Sequence, residues 1–256
     1  MPDDDELSAA VFDEVFAQVS RAPRANALFD EVLGPFPAGV EPFSFVPRQG
    51  MDRVLAELRL GPGDHLLDLC CGRGGIGLWF ARVSGARLTG ADFSAAAIGE
   101  ASRRAAGFTP RPQASFVVAD AARTGLTAGT VDAVMCIDSL QFVPDKDAVL
   151  REAARVLRPG GRVVVTTWER RDAEPADLPE VYSIADAAAL AEAAGLRVLA
   201  REERSDWQEL QQAFYQRVIA EDSDQAEPAV RVLAGEGRAL LPYSALVRRL
   251  LLVACS

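Results

Sequence analysis
The residues of this chain best suited to chemistry are three aspartates, Asp68, Asp92 and Asp120, and the glycine turn after the first of them. In His65-Leu66-Leu67-Asp68-Leu69-Cys70-Cys71-Gly72-Arg73-Gly74-Gly75-Ile76-Gly77 an apolar run ends in an acid and then turns through glycines into a helical pattern. A strand, a tight loop and a helix start of this kind hold an adenosine-bearing cofactor at the carboxyl edge of a parallel sheet. Glycines let the backbone approach a ligand closely, and the helix that follows offers free N–H groups. Asp92 lies 20 residues after Gly72 at the end of a second apolar run, where a carboxylate can accept both hydroxyls of a ribose.

The elements that must position these groups alternate in type. Strands are expected at 64–70, 87–91, 115–119, 132–138 and 161–168, with helices at 75–84, 94–106 and 145–157 between them. Such alternation predicts an α/β fold with a doubly wound, mostly parallel sheet and right-handed crossovers. Val163-Val164-Val165 and the first apolar run suit strands covered on both faces. Upstream, Val11, Phe12, Val15 and Phe16, then Leu28, Phe29 and Val32, recur at helical spacing, and 47–59 reads as a further helix. Phe12, Phe16 and Phe29 are expected in a core. Downstream, Ser183 is expected to cap a helix through Ala194 that Gly195 stops, followed by a strand at 196–200. Helices are expected at 205–220 and about 225–236, then a last strand from Val247 to Cys255. This divides the chain into an N-terminal helical lid, 1–60, and a Rossmann-like domain, 61–256, of seven strands with a helical insertion at about 204–237.

Composition narrows the function classes. Across 256 residues the apolar fraction is 49%, enough for one large domain with a buried core. The formal net charge of -10 repels phosphate backbones, so no nucleic-acid partner is expected. No apolar run approaches the roughly 20 residues that span a bilayer, so no membrane partner is expected either. The acidic start, Met1-Pro2-Asp3-Asp4-Asp5-Glu6, is the opposite of a secretory leader. Cys70, Cys71, Cys136 and Cys255 lack metal-ligand spacing, which predicts a reduced cytoplasmic protein without zinc or structural disulfides. No feature of the sequence sets the number of subunits.

Four blocks in order carry a resemblance. They are Leu67-Asp68-Leu69-Cys70-Cys71-Gly72-Arg73-Gly74-Gly75, Leu88-Thr89-Gly90-Ala91-Asp92-Phe93-Ser94, Val118-Ala119-Asp120-Ala121 and Leu157-Arg158-Pro159-Gly160-Gly161-Arg162-Val163. With them, over about 50–170, the chain resembles class I S-adenosylmethionine-dependent methyltransferases. With Trp79 and Trp168-Glu169 it looks most like bacterial enzymes that methylate secondary metabolites, as in antibiotic biosynthesis. The resemblance implies S-adenosyl-L-methionine as cofactor and S-adenosyl-L-homocysteine as product. It places Gly72 and Gly74 beneath the methionine and ribose, Asp68 at the ammonium, Asp92 at the ribose, and Asp120 with the Ala121 N–H at the adenine. Phe93 and the strand-end pair Asp138 and Ser139 complete the expected cofactor contacts. Cys70 departs from the pattern, because relatives carry a small residue there, most often glycine. It too is expected beside the cofactor, as a small buried hydrophobe.

A nicotinamide dinucleotide is the rival cofactor, since Gly72-Arg73-Gly74-Gly75-Ile76-Gly77 fits its glycine pattern. Its pyrophosphate would lie near Asp68, where like charges oppose binding. A zwitterionic sulfonium has no such conflict. Methyl transfer needs an aligned nucleophile and exclusion of water, with a base only where the nucleophile must lose a proton. The single histidine, His65, starts the first strand on the edge opposite the cofactor and is rejected as that base. Asp138 and Glu169 remain as candidate catalytic acids or bases. A small-molecule acceptor is expected against Phe43, Phe45, Gln141, Phe142 and Trp168, with Trp207, Phe214 and Tyr215 from the insertion as further walls. The loop Asp138-Ser139-Leu140-Gln141 is unlike the Asn/Asp-Pro-Pro-Tyr of enzymes that methylate adenine in DNA. The expected reaction is methylation of O, N or C on a small molecule. The alternative is a methyltransferase-like scaffold recruited to cyclisation or elimination, since fold does not dictate chemistry.

Overall fold
The computed structural model describes residues 13–14, 22–40, 44–108, 112–172 and 178–256. The expected helical positions Val11, Phe12, Val15 and Phe16, and Phe43 in the loop before the second helix, lie outside the described residues. In chain order the elements are α1 (Pro23–Leu33), α2 (Arg48–Leu58), β1 (His65–Leu69), α3 (Gly75–Ser84), β2 (Arg87–Asp92), α4 (Ala95–Ala105), β3 (Ala114–Val118) and β4 (Val131–Ile137). There follow α5 (Lys146–Val156), β5 (Leu157–Arg170), α6 (Ala187–Ala193), β6 (Arg197–Glu203), α7 (Ser205–Glu221), α8 (Pro228–Leu240) and β7 (Val247–Cys255). No described helix is long and apolar enough to cross a membrane.

The strands form one seven-stranded sheet in the order β3-β2-β1-β4-β5-β7-β6. β1 to β5 pair in parallel, and β7 runs antiparallel to both β5 and β6. The winding reverses between β1 and β4, so the loops leaving their carboxyl ends part there and open a crevice. Side chains alternate across the sheet. Leu67, Leu69, Val134, Cys136, Val163 and Val165 pack on one face with α5 and α6. Leu66, Met135, Val164 and Leu251 pack on the other with α2 and α3. Every residue of β1 is buried, as a central parallel strand requires.

Helix ends follow local chemistry. Ser94 caps α4 by accepting the Ala97 N–H at 2.9 Å. The cap of α6 is Asp186, which accepts the N–H groups of Ala188 and Ala189, and not Ser183, which closes a short 3-10 turn at Glu180–Tyr182. The stronger acceptor three residues on takes the cap. The Arg158-Pro159-Gly160-Gly161 stretch is an irregularity inside β5, where the β4 register shifts between Val131 and Ala133.

The helices α7 and α8 enter between β6 and β7 and pack on α1 through Leu28, Phe29, Phe214, Val218, Val230 and Leu233. That puts a second, all-helical core above the carboxyl edge of the sheet.

A glycine in the middle of β2 sets how the glycine loop lies. A Cβ at Gly90 would come within 2.6 Å of the Phe116 ring and 2.9 Å of Cys71 Sγ. The Phe116 ring, from the neighbouring strand, therefore lies flat across Gly90 and also reaches Gly74. Gly90→Ala should destabilise the fold by about 1–3 kcal/mol through overpacking, read as a lower urea midpoint with an unchanged slope.

Candidate active site
Two non-glycine residues in the left-handed region mark the crevice. Cys70, just after β1, has φ 57°, and Asp138, just after β4, has φ 52°. Side chains rarely occupy that region, and residues held there cluster at functional sites. The left-handed conformation suits the glycine that the resemblance implies at the Cys70 position. A cavity of about 400 Å³ lies over these strand ends.

One end of the cavity is acidic and glycine-rich. Asp68, Cys70, Gly72, Gly74, Asp92 and Phe93 line it, with Asp120 and Ala121 beside them. Asp92 accepts the Gly72 N–H at 2.8 Å and the Ser94 N–H at 2.9 Å, so it holds the loop in place as well as facing the cavity. Burial pushes the Asp92 carboxyl up, against the pull of those two N–H groups. Asp68 accepts no hydrogen bond from the described residues, and burial, then the charge of Asp92, raises its carboxyl well above the usual range. Asp120 is exposed and accepts the Ala122 N–H at 2.8 Å. A pair of buried carboxylates short of donors fits a cationic ligand and opposes a pyrophosphate. The donor set therefore fits a sulfonium cofactor with an ammonium group. Gly77, the last glycine of the pattern, makes room for this arrangement, because a Cβ there would stand 2.6 Å from Asp68 Oδ2.

The middle of the cavity is organised by Asp138. Its Oδ2 accepts Ser44 Oγ–H at 2.9 Å and the Phe45 N–H at 2.8 Å. Its Oδ1 accepts Thr166 Oγ1–H at 2.7 Å and Arg249 Nη2–H at 2.5 Å. Burial pushes this carboxyl up, but the Arg249 guanidinium and these hydrogen bonds hold it below the usual carboxylate range. Such an acid cannot take a proton near neutral pH. The expected base at Asp138 is therefore corrected to an anchor that ties the 44–45 segment to the end of β4. Ser139 lines the cavity while its hydroxyl donates to the Ile137 carbonyl at 2.9 Å.

Glu169 is placed elsewhere. In the β5–β7 ladder Trp168 stands opposite Arg249, and Glu169 opposite Arg248. Neighbouring strand residues point to opposite faces. Trp168 lines the cavity beneath the Arg249 guanidinium, whose carbon lies 5.0 Å from the ring centroid. Glu169 consequently faces away, fully buried, bonded to Arg201, to Arg248 Nε at 2.9 Å and to the Ala187 N–H at 2.9 Å. It is a structural ion-pair centre, and the expectation of a base there is corrected by the strand's two-residue period. His65 lies at the opposite strand end, with Nε2 2.8 Å from Thr89 Oγ1.

The other end is apolar. Phe29, Phe45, Phe142, Trp168, Leu233 and Leu240 line it. Gln141 is on the wall, where its Nε2 donates to the Asp138 carbonyl at 2.7 Å and its Oε1 accepts the Thr167 hydroxyl at 3.0 Å, bonds that shape the loop. Of the aromatic residues expected from the insertion, Tyr215 reaches the cavity. Trp207 packs in the sheet core and Phe214 in the helical core. Ser44, in the segment between Phe43 and Phe45, lines the cavity, and sequence reasoning missed Gln211, Glu236 and Arg249, which line it too. The signal for Arg249 was a pair of arginines, Arg248 and Arg249, at the start of an otherwise apolar strand, where a buried member demands a partner. The signal for Gln211 was its i,i+4 spacing from Tyr215.

Comparison with known proteins points to the same fold and to a methyltransferase domain. Residues 66–161 match a family described as a methyltransferase domain. The methyltransferase GfsG of Streptomyces halstedii is 33% identical over 131 residues, which cover 51% of this chain and 47% of that protein. The 27-O-demethylrifamycin SV methyltransferase of Amycolatopsis mediterranei is 36% identical over 114 residues, 44% of this chain and 42% of that protein. The chain thus spans under half the length of these two relatives. Among solved structures, the [4+2]-cyclase SpnF superposes with a TM-score of 0.75 at 24% identity, covering 97% of this chain and 96% of that one. A phosphoethanolamine N-methyltransferase of Haemonchus contortus, solved with S-adenosyl-L-methionine, superposes at 0.72 with 17% identity, covering 96% and 60%.

Two substitutions test this arrangement. Gly77→Ala should displace the Asp68 carboxylate and weaken S-adenosyl-L-homocysteine binding about tenfold by calorimetry. Arg249→Met should leave the Asp138 charge buried and unpaired, and cost about 3–5 kcal/mol of stability in urea unfolding. Adding Asp138→Asn to it should restore part of that loss.

Proposed function
We propose that the chain carries a class I methyltransferase domain whose methyl donor is S-adenosyl-L-methionine, and that it methylates an O, N or C atom of an apolar small molecule in secondary-metabolite biosynthesis. One observation carries the reading. A single cavity joins an acidic, glycine-lined end at the switch point of the sheet to an aromatic chamber under the inserted helices. Such continuity lets a donor and an acceptor meet away from water. The name of one relative, a 27-O-demethylrifamycin SV methyltransferase, supports the substrate class.

When bound, S-adenosyl-L-methionine supplies a methyl group already activated on a sulfonium. The residues of this chain have to hold and align. Asp68 is placed to take the ammonium and Asp92 the ribose hydroxyls, with Gly72 and Gly74 giving the backbone room. Phe93, 41% exposed, and Asp120 flank the adenine end of the same rim. Phe45, fixed by the Asp138 bond to its N–H, covers the reacting end and keeps water out. Rate enhancement would then come chiefly from proximity and orientation. Neither Asp138 nor Glu169 has the free lone pair that a base requires.

Calorimetry with S-adenosyl-L-homocysteine tests the cofactor end. Asp92→Ala should weaken binding by about 2 kcal/mol or more, roughly thirtyfold, through lost charge-assisted hydrogen bonds. Affinity of the unaltered protein should rise as pH climbs above the ordinary carboxylate range, because burial raises the Asp68 and Asp92 carboxyls when free and a cationic ligand needs them ionised. A flat pH profile together with an indifferent Asp92→Ala would overturn the assignment. Product mass separates methyl transfer, which adds one methyl, from cyclisation or elimination, which adds none.

A further inference from the structure
A directed chain of hydrogen bonds crosses the apolar chamber from the ion pair to the inserted helices. Arg249 Nη1 donates to Gln211 Oε1 at 2.7 Å, and Gln211 Nε2 donates to the Tyr215 hydroxyl oxygen at 3.3 Å. The Tyr215 hydroxyl donates in turn to Glu236 Oε1 at 3.0 Å. An arginine can only donate. That fact orients the glutamine amide, which in turn fixes Tyr215 as acceptor from Gln211 and donor to Glu236. Glu236 is thus the terminal acceptor of the chain. Its second oxygen, Oε2, has no hydrogen-bond partner among the described residues, and the residue lines the cavity. Burial raises the Glu236 carboxyl above its ordinary range, though the Tyr215 hydroxyl pulls it back.

Glu236 is half-buried on the cavity wall, so this oxygen keeps lone pairs for a donor on a ligand in the cavity. Nothing in the cofactor end performs that task, since Asp68, Asp92 and Asp120 belong to the opposite part of the cavity. The neighbours of Glu236 on the wall, Leu233 and Leu240 from the same helix and Phe29 from α1, are apolar. We propose that Glu236, oriented by Tyr215, is the polar anchor of the acceptor site and recognises a hydroxyl group on an otherwise apolar acceptor. The proposal rests on the methyltransferase reading and adds a substrate feature to it. Tyr215, Gln211 and Arg249 act through Glu236 and are positioning residues.

The test uses the full chain saturated with S-adenosyl-L-homocysteine and two probes of nearly equal shape, 1-naphthol and 1-methoxynaphthalene. The first can donate a hydrogen bond and the second cannot. Equilibrium dialysis should show 1-naphthol bound about tenfold more tightly than the ether. Glu236→Gln presents an N–H that can donate to the oxygen of either probe, so the preference should shrink to about twofold or less. Tyr215→Phe should reduce it part of the way. A purely structural role for Glu236 would change both affinities together and leave their ratio alone. The proposal is overturned if the unaltered protein shows no preference or fails to bind 1-naphthol up to its solubility limit, or if Glu236→Gln keeps the full preference. S-adenosyl-L-homocysteine affinity, measured on each variant, should be unchanged by Glu236→Gln. Its loss in the unaltered protein would instead sink the methyltransferase reading.

Discussion
The buried ion pair between Asp138 and Arg249 is the interaction on which the rest of the cavity depends. Arg249 is fully buried and the Asp138 side chain is 6% exposed. Neither charge is tolerable in such surroundings without the other, and further hydrogen bonds are needed to satisfy what remains. The structure supplies them from three places: the 44–45 segment, Thr166 of β5 and Gln211 of α7. The need to solvate one salt bridge thereby fixes how the loop, the sheet and the inserted helices meet. Through Gln211 and Tyr215 it also fixes the direction of the hydrogen bonds that end at Glu236.

The carboxylates around the cavity are of one chemical kind and do different work because their surroundings differ. Asp138 is flooded with donors and is locked as an anion. Asp92 has two backbone donors and keeps lone pairs for a ligand. Asp68 has burial and a like charge nearby, with no donor among the described residues, so a cation is what it lacks. Glu236 has one phenolic donor and an apolar wall. Burial, neighbouring charge and hydrogen bonding are enough to separate these roles. No special residue type is required.

Glu169 shows why position along a strand is not position at a site. It follows Trp168, which lines the cavity, yet the pleat turns it to the far face, where Arg201 and Arg248 hold it. The two-residue period of β5 was available before any coordinates. What was unavailable was which of the two residues faced the cavity, because that depends on the register with β7 and on the face that the inserted helices cover.

The sequence by itself determined the sheet-and-helix alternation, the glycine loop, and the three aspartates at strand ends. Those are local signals, carried by apolar period, by breakers and by spacing within a few dozen residues. It also determined that the last strand, Val247 to Cys255, returns after two helices. Only the tertiary structure decided that Asp138 is neutralised by a residue 111 positions away and that Glu169 is buried on the face of the sheet away from the cavity. Only it showed that Ser44, Gln211, Glu236 and Arg249 share one wall. Those residues come from four separate elements, and no local pattern registers a contact that forms only when distant segments are folded onto one sheet edge. The physical reason is general to buried charge. A charged group leaves water only when its partners arrive, and the partners are set by topology and register and not by their place in the chain.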